Sequence, residues 1–448
     1  MKRLQIKQIL SMEEAGSHLT TAGWVRSVRQ AQNVSFIDLT DGSSIAGLQV
    51  VVEQSTEGSE ILDNIHTGCS LMAEGQLVES PGKGQRYELK AGKIKLLGEA
   101  DPATFPIQKK KHTLEFLRQK AHLRVRTNTF ASVFRLRSYL SHGIHDFFQR
   151  KGFFYIHTPL ITTSDCEGAG EMFQVSAPSE KDFFGRPAYL TVSGQLEAEL
   201  LALGLSEVYT FGPTFRAENS NTPRHLSEFW MVEPEMAFYD SVDNMDLAEE
   251  FLKAILVYML EHAGEDLQFM ERWYQPGLLG QLETIIKKPF ERLSYTEAIE
   301  LLGASGKKFE FPCDWGSDIQ TEHERYLTEE KIRGPVIVYD YPAKIKPFYM
   351  RLNDDGETVG AMDVLFPRIG EIIGGSQREE RLDVLSRRIR KFGLPEESYW
   401  WYLDTRRFGT AIHSGFGLGL ERTLLFLSGM SNIRDVIPFP RTPGNAEF

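Results

Sequence analysis

One strand-like segment carries carboxylates on the same face as large apolar side chains. In Ser227–Phe238, the alternation of a β-strand puts Phe229, Met231, Glu233 and Glu235 on one side. Carboxylates in such surroundings are costly to bury unless a cation or hydrogen-bond donors meet them. These residues alone leave two interpretations open, namely an ion pair that only stabilises the fold and a face that binds a ligand.

A second segment combines glycines with an arginine at the start of a helix. Gly415-Phe-Gly-Leu-Gly-Leu-Glu-Arg422 ends a strand and opens an apolar helix that runs through Leu427. Glycine lets a backbone approach a ligand closely, and a helix N-terminus favours anions. Arg422 in the first turn adds a full positive charge. The segment therefore predicts an anion-binding site.

The elements that hold these residues can be predicted from turns and apolar spacing. Val208–Arg216 and Ser227–Phe238 are strand-like and flank the polar Ala217–Leu226, which predicts a long antiparallel hairpin. Phe130–Arg150 has apolar residues at helical spacing, and an extended segment follows it as far as Pro159. The rest of the chain alternates strands with helices and contains no internal repeat.

The N-terminal part of the chain has the pattern of a small β-barrel. Within Ser17–Gly98, short β-type runs are separated by turn signals such as Asp41-Gly42. In the run Val34–Thr40, alternation places Phe36 on the polar face, and in the next run Gln49 can also point outward. An exposed aromatic ring beside an amide suits stacking and hydrogen bonding with single-stranded RNA.

The charge of the chain is unevenly distributed. The 448 residues carry a formal net charge of −12. Up to Asn128, however, 17 Lys and Arg stand against 14 Asp and Glu, whereas beyond it 33 stand against 48. Basic tracts at Lys90–Lys95 and Lys109–Lys111 lie in the first part. They fit a surface that follows a phosphate backbone, or equally a solvated surface and linker.

Composition and cysteine spacing exclude several classes of protein. The hydrophobic content of 41% without a long apolar run predicts a soluble globular protein, with no membrane segment and a cytoplasmic location. Cys69, Cys166 and Cys313 are far apart and form no CxxC pair. We therefore predict reduced thiols, and neither a disulfide framework nor a structural zinc site.

Taken together, the segments resemble the signature motifs of the class II aminoacyl-tRNA synthetases. Pro159 and the helix before it resemble the first motif, and Gly417-Leu-Gly-Leu-Glu-Arg422 resembles the third. The similarity to the second motif comes from three segments, Thr214-Phe-Arg-Ala-Glu218, Arg224-His225 and Glu228-Phe229. Three further segments are similar to the asparaginyl enzymes of the aspartyl, asparaginyl and lysyl subgroup: Ser164-Asp-Cys-Glu-Gly-Ala-Gly-Glu171, Val232-Glu-Pro-Glu235 and Ile433-Arg-Asp-Val-Ile-Pro-Phe-Pro-Arg-Thr442.

This resemblance covers nearly the whole chain and implies an α+β multidomain fold. An OB-fold anticodon-binding domain would occupy residues 1–100, a linker or hinge residues 101–128, and a catalytic domain built on an antiparallel sheet flanked by helices residues 129–448. The implied enzyme activates L-asparagine with ATP to asparaginyl-adenylate and pyrophosphate. It then transfers asparagine to the 3′ end of tRNA(Asn), requires Mg²⁺, and forms a homodimer through the first motif.

The resemblance also assigns residues to ATP. Arg216 would hold the α-phosphate, Glu218 the adenine amino group and Phe229 one face of adenine, while Arg422 covers the other face and, with His225, reaches the γ-phosphate. Arg216 and Arg422 are thereby the predicted catalytic residues. The complete predicted set for ATP is Arg216, Glu218, Arg224, His225, Phe229, Glu371, Gly419 and Arg422.

Two further sets follow from the resemblance. Asp363 and Glu371 match the carboxylates that bind magnesium in the family. The α-amino group would be bound by Glu167, Ser193 and Gln195, with Glu167 on a loop that closes over the substrate. The complete predicted set for the amino acid is Glu167, Ser193, Gln195, Glu233 and Arg378.

The choice between asparagine and aspartate depends on a few positions. Arg378 would hold a side-chain oxygen that both amino acids possess. Aspartyl enzymes have a lysine three residues after the glutamine, where this chain has Ala198, so an aspartate carboxylate would be underpaired at a cost of roughly several kcal/mol. Glu233 can accept a hydrogen bond from an amide and repel a carboxylate. Alternatively, Glu233 is a structural partner of Arg378.

At the barrel, the resemblance assigns Phe36 and Gln49 to the anticodon, with Arg26 and Arg29 beside them. Val51 stands where aspartyl enzymes often have a second aromatic residue. Three alternative functions remain: an aspartyl-tRNA synthetase, a tRNA-independent ATP-dependent amide synthetase, and a regulatory RNA-binding protein. The barrel argues against the amide synthetase and the complete ATP set against the regulatory protein.

Overall fold

The chain forms two compact units. The computed structural model describes residues 2–82, 84–166, 172–178 and 183–448, and the units are Met1–Ser132 and Val133–Phe448. The finer division into residues 1–100, 101–128 and 129–448 remains a prediction.

The first unit contains a closed barrel of five strands. The strands are β1 (His18–Gln30), β2 (Val34–Thr40), β3 (Leu48–Glu53), β4 (Ser70–Glu79) and β5 (Tyr87–Gly98). Their order around the barrel is β1-β2-β3-β5-β4, with a parallel β3/β5 pair. Ile37 and Leu39 are fully buried, whereas Phe36 on the opposite face of β2 is half-buried. The predicted alternation of β2 is therefore confirmed.

Short helices accompany the barrel. Helix α1 (Ile6–Leu10) buries Ile6 and Ile9 in the barrel core, and a 3-10 helix covers Ser59–Asn64. Three helices follow β5: α2 (Leu114–Gln119), α3 (Ala121–Arg124) and the long α4 (Asn128–Arg150), which continues into the second unit. Helix α4 confirms the helix predicted at Phe130–Arg150, with two more residues at its N-terminus.

The second unit is built on a large, mostly antiparallel sheet of eight strands. In chain order these are β6 (Phe154–Tyr155), β10 (Glu207–Phe215), β11 (Glu228–Ala237), β12 (Glu291–Ser294), β13 (Val336–Pro342), β14 (Thr358–Phe366), β15 (Gly370–Gln377) and β16 (His413–Gly419). The spatial order is β12-β13-β14-β15-β16-β11-β10-β6. A small sheet holds β7 (Ile161–Thr162), β8 (Gln174–Val175) and β9 (Ala188–Leu190). The predicted hairpin is confirmed as the antiparallel pair β10/β11.

Helices pack around this sheet. They are α5 (Gln195–Leu205), α6 (Ser241–His262), α7 (Gly264–Trp273), α8 (Leu278–Lys287), α9 (Tyr295–Gly303), α10 (Thr321–Arg325), α11 (Leu382–Lys391), α12 (Trp400–Arg407) and α13 (Leu420–Ser428). The start of α6 is fixed by Asp240, whose side chain accepts hydrogen bonds from the backbone N–H groups of Val242 and Asp243. Phe251 of α6 packs on Phe416 of β16 with ring centroids 6.0 Å apart. Among the described residues, no helix is long and apolar enough to cross a membrane.

Candidate active site

Two cavities on the face of the large sheet share a wall. The large lobe has a volume of about 480 Å³, and the small lobe has a volume of about 130 Å³. Arg216, Met231, Glu371 and Gly417 line both lobes. The two lobes therefore form one continuous site, with an arginine and a carboxylate at their junction.

The structure brings the residues predicted for ATP together in the small lobe. All eight line it: Arg216, Glu218, Arg224, His225, Phe229, Glu371, Gly419 and Arg422. They come from the β10/β11 hairpin, from β15 and from the β16–α13 junction, which are adjacent only because β15, β16 and β11 are neighbours in the sheet. The roles of the individual residues remain predictions.

The large lobe contains the residues predicted for the amino acid and the metal. Six of them line it: Ser193, Gln195, Glu233, Asp363, Glu371 and Arg378. Glu167 lies outside the described residues, so the structure does not bear on its prediction. Strand β11 contributes Met231, Glu233 and Glu235 to this lobe, which confirms that the predicted alternation faces the site.

Cations and an aromatic ring lie close together in the small lobe. The Cζ atom of Arg216 lies 5.4 Å from the ring centroid of Phe229. Arg422 donates from Nη1 to the carbonyl oxygen of Glu371 at 2.7 Å, and the same atom lies 3.4 Å from Glu371 Oε2. Burial lowers the pKa of His225, and the charge of Arg422 lowers it further, which favours a neutral imidazole at pH 7.

Arg224 is tethered at the edge of the small lobe. It donates from Nη1 to Thr321 Oγ1 at 3.0 Å and from Nη2 to the carbonyl oxygen of Arg368 at 3.2 Å. Both partners belong to segments distant in sequence. The tether therefore fixes the end of the loop between β10 and β11 against the rest of the unit.

Two glycines of β16 make room for side chains of the neighbouring strand β11. A Cβ atom on Gly415 would lie 2.2 Å from Glu235 Oε1, and one on Gly417 would lie 2.8 Å from Met231 Cε. The sequence suggested that these glycines let the backbone approach a ligand. At Gly415 the close approach is instead to a buried carboxylate of the protein itself.

The predicted metal carboxylates lie on paired strands, Asp363 on β14 and Glu371 on β15. A Cβ atom on Gly374 would lie 2.9 Å from Glu371 Oε1 and 3.6 Å from Asp363 Oδ1, so glycine leaves space around both carboxylates. Lys346 donates to Asp363 Oδ2 at 2.7 Å. Burial would raise the pKa of Glu371, but Arg422 and Lys346 outweigh burial and lower it, so this group is ionised.

These carboxylates fit a magnesium ion that is shared with phosphates. Mg²⁺ prefers oxygen ligands and usually takes one or two carboxylates together with phosphate oxygens and water. Among the described residues no group of three or more acidic, histidine or cysteine side chains could hold a metal. A pair of carboxylates beside the junction of the lobes therefore suits an ion that arrives with a nucleotide.

Glu233 is held by the start of helix α5. Its Oε1 accepts a short hydrogen bond from Ser193 Oγ, and its Oε2 accepts one from the backbone N–H of Gly194 at 3.0 Å. Ser193 Oγ also accepts from the backbone N–H of Gln195 at 3.1 Å. The carboxylate of Glu233 thus lies at the start of a helix, where the helix dipole favours negative charge.

Arg378 has a different partner from the one considered in the sequence analysis. It donates from Nε to Glu235 Oε2 at 3.1 Å, from Nη2 to Glu235 Oε1, and from Nη1 to Ser376 Oγ at 2.9 Å. The alternative of Glu233 as the structural partner of Arg378 is therefore wrong, because Glu235 occupies that place. Burial disfavours the charge of Arg378, but the carboxylates of Glu235 and Glu199 outweigh burial and raise its pKa.

Sequence analysis missed a buried polar cluster behind Arg378. Glu199, Tyr402, Arg406 and His413 are all fully or almost fully buried. They come from α5, α12 and β16, so their contacts are not local in sequence. One signal was available for Glu199, which lies four residues after Gln195 and therefore on the same face of helix α5.

The residues predicted for the anticodon lie on adjacent barrel strands. Arg29 Cζ lies 4.6 Å from the ring centroid of Phe36, and Val51 is the register partner of Phe36. Gln49 donates from Nε2 to Glu88 Oε2 at 2.9 Å. Arg26 donates from Nη1 to the carbonyl oxygen of Ile45 at 2.8 Å. The ring and the amide thus belong to one face of the barrel, and contacts within the protein already orient the Gln49 amide.

The sequence matches two family profiles. One, described as tRNA synthetases class II (D, K and N), matches residues 113–443. The other, described as OB-fold nucleic acid binding domain, matches residues 19–97. The two matches correspond to the large sheet with its helices and to the closed barrel.

Similar proteins extend over the full length of the chain. The asparagine-tRNA ligase of Oleidesulfovibrio alaskensis is 56% identical over 461 residues and covers 100% of both chains. The asparagine-tRNA ligase of Solibacter usitatus is 60% identical over 445 residues, covering 97% of this chain and 96% of that protein.

Solved structures give the same picture. The asparaginyl-tRNA synthetase of Pyrococcus horikoshii complexed with asparaginyl-adenylate superposes with a TM-score of 0.90 at 31% identity, covering 100% of this chain and 99% of that one. A putative aspartyl-tRNA synthetase from Leishmania major superposes with a TM-score of 0.83 at 25% identity, covering 99% of this chain and 94% of that one.

Proposed function

The chain belongs to the class II tRNA synthetases of the D, K and N group, and we propose that it acts there as an asparagine-tRNA ligase. It activates L-asparagine with ATP and transfers it to tRNA. Membership also confirms the predicted fold class, an OB-fold barrel followed by a class II catalytic domain.

The proposed mechanism rests on one observation, which is that the two lobes share a wall. Activation must bring a carboxylate oxygen of the amino acid to the α-phosphorus of ATP. A nucleotide in the small lobe and an amino acid in the large lobe would meet at Arg216 and Glu371, which line both. Holding both reactants in this geometry removes much of the entropic barrier of a bimolecular reaction.

In the first step, the carboxylate of asparagine attacks the α-phosphorus of ATP. A bond forms between the carboxylate oxygen and phosphorus, and the bond to the bridging oxygen of the β-phosphate breaks, so that pyrophosphate leaves. Arg216 neutralises charge on the α-phosphate, and Arg422 and His225 hold the outer phosphates. Catalysis is thus positioning and charge neutralisation, without a covalent enzyme intermediate.

In the second step, a hydroxyl of the terminal tRNA ribose attacks the carbonyl carbon of the adenylate. The ester bond to tRNA forms as the bond to phosphate breaks, and AMP leaves. The proton of the hydroxyl goes to a phosphate oxygen of the departing AMP, so this step needs no base from the protein.

Asp363 and Glu371 would hold Mg²⁺, which when bound neutralises charge on the ATP phosphates. Lys346 also offsets the charge of Asp363, since its ammonium lies 2.7 Å from that carboxylate. Glu371 also orients Arg422 through its carbonyl oxygen. Glu371 would therefore contact both the ion that neutralises the phosphates and the catalytic residue Arg422.

Asparagine is selected in the large lobe. The guanidinium of Arg378 can donate to the side-chain carbonyl oxygen, and the carboxylate of Glu233 can accept from the amide NH₂. Ala198 is fully buried in an apolar cluster with Ala202 and Val208, and it carries no charge that could pair with an aspartate carboxylate. An aspartate carboxylate would face Glu233 without a compensating charge. Gln195, Ser193 and Glu167 would bind the α-amino group.

The barrel recognises tRNA, in our proposal through stacking of an anticodon base on Phe36 and hydrogen bonding to Gln49, with Arg26 beside them. We further propose a homodimer. An apolar surface near the edge of the sheet supports it, because Phe154, Tyr155, Leu160 and Ile161 are exposed there. We also propose a cytoplasmic location, because ribosomes consume charged tRNA in that compartment.

Exchange of labelled pyrophosphate into ATP tests the function. With the purified chain, we expect exchange that depends on asparagine and is at least about tenfold weaker with aspartate, the effect of losing one charged contact. Charging of tRNA(Asn) with asparagine should follow in the same preparation. Exchange with aspartate but not with asparagine would contradict the proposal.

A further inference from the structure

Glu199 is fully buried one helical turn after Gln195, and it accepts hydrogen bonds on both of its oxygens. Its Oε1 accepts from Gln195 Nε2 at 3.0 Å. Its Oε2 accepts from Tyr402 Oη at 2.6 Å and from Arg406 Nη2 at 2.8 Å. Glu199 belongs to neither the set of residues proposed for ATP nor the set proposed for the amino acid.

The same carboxylate also lies beside the residue proposed to bind the substrate side chain. Arg378 Nε is 3.8 Å from Glu199 Oε1, the oxygen that accepts from Gln195. Glu199 therefore contacts both the residue proposed for the α-amino group and the one proposed for the side-chain oxygen. Because it is fixed by α12 and β16 from behind, it sets the distance between these two recognition groups.

Glu199 remains charged despite its burial. Burial would raise its pKa, but Arg406, His413 and Arg378 outweigh burial and lower it. His413 Nε2 lies 3.1 Å both from Glu199 Oε2 and from Arg406 Nη2. The carboxylate is thus part of a closed cluster in which every polar atom of Glu199 has a partner.

The buried charges around Arg378 are balanced. The cluster contains two guanidinium groups, Arg378 and Arg406, and two carboxylates, Glu199 and Glu235. Glu233 lies beside this group, since it lines the large lobe together with Glu235 and Arg378. A neutral amide oxygen can take a hydrogen bond from Arg378, whereas the carboxylate of aspartate would add an unpaired negative charge beside a guanidinium that Glu235 and Glu199 already neutralise.

From these contacts we propose that Glu199 is a specificity-determining positioning residue, which orients Gln195 and Arg378 together and cancels the positive charge that would admit aspartate. The proposal rests on the proposed function, because it concerns the same amino-acid site. A purely structural Glu199 would serve only to neutralise Arg406, and its loss would not alter the choice of amino acid.

The isosteric substitution Glu199→Gln tests this proposal. It removes one buried negative charge while keeping the size of the side chain. In pyrophosphate exchange, we expect the KM for asparagine to rise and the preference for asparagine over aspartate, as a ratio of kcat/KM values, to fall about tenfold or more.

The matched control is Asp266→Asn. Asp266 is buried and paired with Arg135 at 2.6 Å in the same unit, among helices that do not line either lobe. Its substitution removes a comparable buried ion pair, so it should lower thermal stability similarly while leaving the asparagine preference unchanged. A folded Glu199→Gln variant with the wild-type preference would overturn the proposal.

If Glu199→Gln yields no folded protein, Glu199→Asp decides, because it keeps the charge and shortens the side chain. The proposal then requires a raised KM for asparagine with the preference retained, and a wild-type KM would refute it. Failure of the proposed function would look different, since the wild-type chain itself would then show no exchange with asparagine.

Discussion

At the residue scale, the amino-acid site depends on the charge balance around Arg378. Its guanidinium donates three hydrogen bonds to Glu235 and Ser376, and two of its five N–H groups remain for a substrate oxygen. Glu233 is held separately, by Ser193 and by the start of α5. The two carboxylates of β11 therefore have different tasks, although they are only two residues apart and look alike in the sequence.

A prediction at this scale concerns Glu233→Gln. The amide keeps the size of the side chain but loses the charge that repels aspartate, so the asparagine-to-aspartate ratio of kcat/KM should fall about tenfold, or ~1.4 kcal/mol. Pyrophosphate exchange with each amino acid measures it.

Glu249→Gln is a suitable control, because Glu249 pairs with Lys253 at 2.6 Å and lines neither lobe. That variant should keep the wild-type ratio. If Glu233→Gln keeps it too, Glu233 serves only to hold the start of α5.

At the element scale, the order of the strands in the large sheet brings the residues of the site together. Strands β15, β16 and β11 are adjacent in space but far apart in the chain, and each contributes to both lobes. The glycines of β16 allow this closeness, because larger residues would collide with the side chains of β11. The strand thus acts as a spacer beneath the ion pair of Glu235 and Arg378.

Gly415→Ala tests the spacer. A Cβ atom there would lie 2.2 Å from Glu235 Oε1, so the carboxylate must move or the strands must separate. We expect a loss of stability of ~1–3 kcal/mol, as for other overpacked sites, together with a raised KM for asparagine. Thermal unfolding and pyrophosphate exchange measure the two effects.

The chain offers a matched position in the neighbouring hairpin strand. A Cβ atom on Gly212 of β10 would meet nothing within 4 Å, so Gly212→Ala should leave stability and exchange near wild type. Equal behaviour of the two variants would show that Gly415 is not required as a spacer.

At the scale of the whole molecule, activation and tRNA recognition belong to separate units. Among the described residues, those that line the two lobes of the active site all belong to Val133–Phe448. The residues predicted for the anticodon belong to the barrel in the first unit. Loss of a barrel contact should therefore affect only reactions that involve tRNA.

Phe36→Ala makes this testable. Loss of base stacking, worth ~1–3 kcal/mol, should raise the KM for tRNA in the charging reaction about tenfold, while pyrophosphate exchange without tRNA stays at the wild-type rate. Leu97→Ala, at an exposed apolar residue of β5, should change neither. Equal loss of both activities in Phe36→Ala would argue against the separation.

The sequence by itself determined the local elements and the residues that they bear. The period-2 pattern of β11, the helix α4 and the hairpin β10/β11 were predicted correctly, because alternation and turn residues are local properties. The resemblance of the motifs, which depends only on the order of residues along the chain, also identified eight of the residues that line the small lobe.

Only the tertiary structure decided which charged groups are partners. Glu235 rather than Glu233 pairs with Arg378, and Glu199 joins Arg406, Tyr402 and His413 in a buried cluster. These groups lie on elements that are separated along the chain, and separation along the chain does not determine the distance between side chains in the folded protein. Burial makes each such contact strong, but whether a carboxylate is buried beside a guanidinium depends on how strands and helices pack, which no local pattern encodes.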